Sequence, residues 1–238
     1  MLIEETNRVV SSCVGISQRL VRATTGSFLR HDTIIYMKLY FIRHGESDAN
    51  VLHVISNYGS PFGLTELGRQ QVEVLAERLK DAPIATMYSS PVLRAMDTAD
   101  ILYQTLGLPY RVTEALREYH CGVLEGKSDE ESWRLHRQYY EDWTLRHDYL
   151  SKPAGGESFV DIQKRFVPFI ESLKRNEDED VLLVGHGGLF HLMLPLVLTN
   201  IDNDFVSAHG IGHTDCVIAE LRADEFVCLQ WGDVQLEA

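Results

Sequence analysis

From residue 37 onward, short apolar runs rich in β-branched and aromatic residues alternate with longer stretches whose apolar positions recur every three or four residues. That alternation is the pattern of a parallel sheet flanked by helices. Lys38–Arg43 (KLYFIR) predicts the first strand. Between Leu64 and Lys80, Leu64, Leu67, Val72, Leu75 and Leu79 fall near one face behind a Thr65 N-cap, which predicts an amphipathic helix. Ala85–Ser89 predicts a second strand, and Pro91, whose fixed φ suits a first helical position, predicts the start of a helix running to about Leu106, before Gly107. Residues 128–148 are helical in period but very polar, whereas Phe159, Ile162, Phe166, Phe169 and Leu173 step by three and four as a second clean amphipathic helix does. The unbroken VLLVG run at 181–185 predicts a strand buried on both faces. Two last strands are predicted near Cys216–Leu221 and Phe226–Trp231, joined through residues 222–225 as a hairpin.

In open α/β sheets, ligands bind in the crevice outside the carboxyl ends of the strands. His44 directly follows the first strand, His186 directly follows the strand at 181–185, and Arg94 lies on the first turn of the helix after the second strand. With Arg43, three separated segments therefore bring two imidazoles and two guanidiniums to one sheet edge, a convergence that packing alone does not explain.

Composition narrows the partners. A formal charge of −13 over 238 residues is the opposite of what a nucleic-acid binder needs, so an anionic substrate must be captured by a local cluster of cations. Cys13, Cys121, Cys216 and Cys228 form neither a C-x-x-C pair nor a compact framework, which points to a reduced, cytoplasmic setting without zinc or stapling disulfides. No apolar run approaches the roughly 18 residues that span a bilayer, so no membrane contact is expected. Residues 1–36 stand apart: they are rich in Ser and Thr, and four arginines against three acids give them a charge of +1, leaving −14 for residues 37–238. Met37 falls just before the first strand, so residues 1–36 are read as a flexible leader or the product of an upstream start site; Glu4 and Glu5 count against a transit peptide. Residues 37–238 are read as one catalytic domain with a helical cap around 119–152.

The most specific string is Arg43-His44-Gly45-Glu46-Ser47 followed by Asn50. Five further segments occur downstream: LTELG at 64–68, S-S-P-x-x-R-A-x-x-T-A from Ser89 to Ala99, LRE then GVLEG between Leu116 and Gly126, GGES at 155–158, and GHG at 185–187. In this order they resemble the histidine phosphatase (phosphoglycerate mutase-like) superfamily over essentially all of the chain from Met37. The resemblance implies a three-layer α/β/α sandwich with a mostly parallel central sheet, and hydrolysis of a small phosphorylated metabolite with no metal and no cofactor. A homodimer is the one assembly left open.

The residue types suit that chemistry. Neutral imidazole is a good nucleophile near pH 7, which makes His44 the candidate to attack phosphorus. The resemblance implies that its other ring nitrogen is held by a nearby backbone carbonyl. Guanidinium forks match the equatorial oxygens of a phosphoryl group in transfer, the role open to Arg43 and Arg94. His186 would be the fourth clamp, with Asn50 and the amide of Gly187 as neutral donors. The leaving oxygen needs a proton; by resemblance Glu118 supplies it, with Glu125 and Glu114 as rivals.

Several residues have a plainer reading. His120, Cys121 and His191 are expected as packing or rim residues, and Glu46, Ser47 and Ser158 as supporting or capping groups. Trp133, Tyr139, Tyr140 and Trp143 are expected on the inner face of the cap helix, Tyr139 and Trp143 by their spacing of four. A mutase of the same superfamily is the alternative activity; its members carry a long proline-rich insertion, whereas 118–157 here reads as one compact helix. A non-catalytic phosphoester-binding module would normally have lost part of the set His44, Arg43, Arg94, Glu118 and His186, all of which is present.

Overall fold

The computed structural model describes residues 37–59, 61–176 and 179–237, so the expectation for residues 1–36 lies outside the described residues. In chain order the elements are β1 (Lys38–Arg43), the single-turn α1 (Asp48–Val51), α2 (Glu66–Leu79), β2 (Ile84–Ser89), α3 (Leu93–Leu106), β3 (Tyr110–Val112), α4 (Glu130–Thr144), α5 (Phe159–Leu173), β4 (Asp180–Gly185), α6 (Gly187–Met193), α7 (Asn203–Ala208), β5 (Cys216–Arg222), β6 (Glu225–Trp231) and β7 (Val234–Gln235).

The strands form one sheet in the order β3-β2-β4-β1-β5-β6-β7. Its parallel core, β3-β2-β4-β1, carries an antiparallel wing of β5, β6 and β7. The period-two rule for strand side chains sorts the core: Leu39, Phe41, Val181 and Leu183 pack on one face, with Phe166 of α5 and Phe190 of α6. Tyr40, Ile42, Leu182 and Val184 pack on the other, with Val72 and Leu75 of α2 and Ala95, Ala99 and Leu102 of α3. The result is the expected three-layer sandwich, and β4 is buried along its whole length because helices cover both faces. Among the described residues no helix is long and apolar enough to cross a membrane.

Local chemistry sets the element ends. The Thr65 hydroxyl accepts from the Gly68 amide at 2.9 Å and caps α2, and Gly107 closes α3 in the left-handed region at φ 66°. The hairpin between β5 and β6 turns on Ala223 (φ 46°) and Asp224 (φ 71°), the two positive-φ positions that a tight two-residue turn requires.

Two expectations need correction. Pro91 does not occupy the first helical position. Val92 is extended at ψ 133°, its amide donates to Ser90 Oγ at 3.2 Å, and α3 begins at Leu93, so Pro91 stiffens the approach. Nor is 118–157 one helix. A 3-10 turn at Gly122–Leu124 precedes α4, Asp129 caps α4 by accepting from the Ser132 amide, and the chain leaves the helix at Leu145 before His147 turns left-handed at φ 57°. It then folds back so that Trp143 Nε1 donates to Ser151 O at 2.7 Å.

Candidate active site

β1, β4 and β2 lie side by side, with Arg43 paired to Gly185 and Ser89 to Val184, so their carboxyl ends finish together. The ladder runs on past the strands: the His44 amide donates to Gly185 O at 3.1 Å and the Ser90 amide to Val184 O at 3.0 Å. His44, His186 and Arg94 are thereby gathered over adjacent strand ends, with the imidazole centroids of His44 and His186 5.1 Å apart.

His44 is buried, and its Nδ1 lies 2.6 Å from the carbonyl oxygen of Gly45, an acceptor only. Nδ1 therefore carries the proton and Nε2 the lone pair, and Arg94 Nε donates to that lone pair at 2.9 Å. Gly45 is needed at this point because a Cβ there would come within 2.5 Å of Gly68 O. Burial, reinforced by the Arg94 and Arg43 charges, pushes the His44 pKa well below 6.5, so the ring is neutral at pH 7.

Two guanidiniums and the His186 imidazole, whose pKa is pushed well below 6.5 by burial and then by the Arg94 charge, surround this lone pair. Arg94, only 4% exposed, also donates through Nη1 to Ser56 O at 2.6 Å; burial lowers its pKa to about 10, which leaves it charged. Arg43 Nη1 donates to Ile211 O at 2.6 Å and Nη2 lies 3.0 Å from His213 Nε2. His186 Nε2 lies 2.7 Å from Ser90 Oγ. Two buried nitrogens, His186 Nδ1 and Arg43 Nε, have no partner among the described residues. A buried polar atom left unpaired costs about 1–3 kcal/mol, which an oxyanion accepting from it would recover. Asn50 lines the same cavity; its Oδ1 accepts from the Ser47 amide (3.1 Å) and hydroxyl (2.8 Å), the capping box of α1, and stands 3.2 Å from His213 Nε2. Gly187 heads α6 against Arg43, where a Cβ would come within 3.2 Å of Arg43 Cδ and Nε.

Of the three carboxylates that compete for the acid role, Glu118 alone lines the cavity. It is 7% exposed, and its oxygens accept from the Tyr119 amide (3.1 Å) and the Gly188 amide (3.0 Å). Burial raises its pKa above the ordinary carboxyl value, outweighing the two amide bonds and the Arg94 charge that pull it down. Glu125 accepts from the amides of Cys121 (2.8 Å) and Asn57 (2.8 Å) and ties two loops together, while Glu114 is paired with Arg117 at the surface.

The cavity holds about 570 Å³, far more than a phosphoryl group fills, and α4 supplies its outer wall with Trp133, His136, Arg137 and Tyr140. The cap aromatics divide: Trp133 and Tyr140 face the cavity, Trp143 is in the core, and Tyr139 packs against the core. His120 packs against the Tyr58 ring at 4.6 Å between centroids and Cys121 is buried, as packing residues are. His191 lines the cavity wall, with Nε2 2.6 Å from Val206 O and Nδ1 bonded to the Tyr140 hydroxyl. Ser158 forms a capping box with Asp161, and Glu46 accepts from the Thr65 hydroxyl at 2.8 Å.

Sequence reasoning missed His213. Its ring centroid lies 6.0 Å from that of His44, it meets Arg43 and Asn50, and burial with the Arg43 charge lowers its pKa to about 4. The only sequence signal was an unassigned His before the last strands. Ser90 was also without a role, although the motif that contains it was recognised.

Among the described residues no group of three or more His, Cys, Asp and Glu side chains is arranged to hold a metal ion. Residues 39–234 match the family described as the histidine phosphatase superfamily (branch 1). The chain is 30% identical over 202 residues to the metal-independent phosphoserine phosphatase of Arabidopsis thaliana, covering 83% of this chain and 82% of that protein. It is 31% identical over 182 residues to 6-phosphofructo-2-kinase/fructose-2,6-bisphosphatase of Gallus gallus; the match covers 75% of this chain but only 36% of that longer protein. Among solved structures, mycobacterial glucosyl-3-phosphoglycerate phosphatase in complex with VO3 superposes with a TM-score of 0.70 at 29% identity, covering 82% of this chain and 99% of the other.

Proposed function

This chain belongs to the histidine phosphatase superfamily, and on that premise we propose that it hydrolyses monoesters of phosphoric acid, on a small metabolite, through a phosphohistidine at His44 and without a metal ion. The observation that carries the reading is the fixed tautomer of His44, with Nδ1 committed to Gly45 O and the Nε2 lone pair directed at Arg94 within a shell of buried donors.

In the first half-reaction an ester phosphate exchanges for the Arg94–His44 contact. The His44 Nε2 lone pair forms a bond to phosphorus, the P–O bond to the alcohol breaks, and the proton of Glu118 goes to the leaving oxygen. Arg43, Arg94 and His186 take the equatorial oxygens, whose charge is then met by preorganised donors rather than by water. In the second half-reaction a water gives its proton to the Glu118 carboxylate and its oxygen to phosphorus, and the P–N bond breaks to return neutral His44. The two guanidiniums supply the positive charge that a divalent ion brings elsewhere. Hydrolysis is preferred over mutase action because relatives named as phosphatases are matched over 80–87% of their own length, against 70% for phosphoglycerate mutase-like protein 4.

The test lies in the leaving group. Glu118→Gln removes the transferable proton while keeping the shape, so kcat should fall by roughly 10²–10⁴-fold on an alkyl phosphate and far less on p-nitrophenyl phosphate, whose leaving oxygen needs little protonation. Equal loss on both, with the selective pattern shown instead by Glu125→Gln or Glu114→Gln, would move the acid role to another carboxylate.

A further inference from the structure

Helix α4 brings to the cavity a charge that the phosphoryl chemistry does not use. Arg137 lines the cavity and, unlike Arg43 and Arg94, has no hydrogen-bond or ion-pair partner among the described residues. The neighbouring cation on the same helix, Arg134, is clasped by Glu131 through two bonds of 2.8 and 2.7 Å and does not line the cavity. Arg137 follows Trp133 by four residues and precedes Tyr140 by three, so the three share the helical face turned to the cavity.

The other titratable groups of that outer wall bring no charge near neutral pH. His136 is pushed down to about 4 by burial and by Arg137 itself, and burial lowers His191 as well. Among the described residues Glu118 is the cavity's only carboxylate, at the inner end beside Gly188. A phosphomonoester dianion is matched in charge by Arg43 and Arg94, which leaves one unit of positive charge on the leaving-group side. In a chain of net charge −13, an unpaired guanidinium at an active-site mouth is a place where an anion is drawn in and oriented.

We propose that Arg137 binds a second anionic group on the leaving-group side of the substrate, so that the preferred substrates are phosphomonoesters of alcohols that themselves carry a negative charge. This rests on the phosphatase reading and goes beyond it in naming the substrate class and the residue that selects it.

The experiment compares phenyl phosphate with its 3-carboxy and 4-carboxy analogues, esters of similar size that differ by one charge, using the full chain and measuring release of inorganic phosphate. At least one carboxy analogue should be favoured in kcat/KM by roughly five- to tenfold, the range for one partly exposed charged contact. Arg137→Gln should bring that ratio close to one, Arg137→Lys should retain part of it, and Arg134→Gln should leave it as in the parent. A parent with no preference for either carboxy analogue, or a preference that survives Arg137→Gln, overturns the assignment. Failure of the phosphatase reading looks different, because no phosphate is then released from any of the three esters.

Discussion

His44 and Glu118 are both buried and line one cavity, yet burial suits them to opposite uses. An imidazole loses its charged form on desolvation and becomes a lone-pair donor, whereas a carboxyl loses its charged form and becomes a proton donor. His44 gains its inhibitory proton only well below pH 6.5, so activity should not fall with an ordinary imidazole titration on the acid side. Glu118 must hold its proton for the first half-reaction, so kcat on an alkyl phosphate should decline as pH rises through its raised pKa, and Glu118→Gln should lack that basic limb. His213 acts one step away. It gives Arg43 Nη2 an acceptor at 3.0 Å, so His213→Ala should raise KM by about fivefold or more with a smaller change in kcat, and His213→Gln, which keeps an acceptor, should recover much of the loss. An equal loss in both variants would show that the ring's bulk matters rather than its lone pair. Arg43, His44, Asn50, Arg94, Glu118, His186 and Gly187 were legible beforehand because each falls inside a short string whose residue types suit phosphoryl transfer. His213 was not, since its position depends on the antiparallel pairing of β5 with β1 and on Thr214 standing in the left-handed region at φ 59°, neither of which a local pattern reveals.

At the scale of elements, the site exists because three parallel strands end at one level and α6 begins immediately beyond β4. α6 also fixes Glu118: its Gly188 amide holds one Glu118 oxygen, and a Cβ at 188 would come within 2.7 Å of Tyr119 Cε1 and 2.9 Å of Glu118 Oε2. Gly188→Ala should therefore lower kcat on alkyl phosphates by at least tenfold while p-nitrophenyl phosphate turnover is affected much less, and a substitution without effect on either would show that the carboxyl is not held there. The central strands and the amphipathic helices α2 and α5 were readable because their hydrophobic period decides their burial. β3, α1 and α7 were not, being three, four and six residues long with no period to read, and the ends of α4 were overrun because its polar sequence continues past the residues that cap it. Pro91 misled because an N-terminal proline marks the approach to a helix as readily as its first residue.

Over the whole molecule, a charge of −13 repels anions, and the half-buried Arg43, the buried Arg94 and the exposed Arg137 concentrate the compensating charge in one cavity. Since those guanidiniums supply the charge, phosphate release should persist at its full rate in excess EDTA, and loss on chelation with recovery on adding magnesium or manganese would contradict the metal-free reading. Vanadate, which takes up five-coordinate geometry, should inhibit. A phosphohistidine at His44 is tested most directly by quenching the protein during turnover of a ³²P-labelled phosphomonoester and examining the bound label. The bound phosphate should be labile in acid and stable in base, as a phosphoramidate is, located on His44 and absent from His44→Ala. Label that persists without His44, or that is stable in acid as a phosphoserine is, would contradict it.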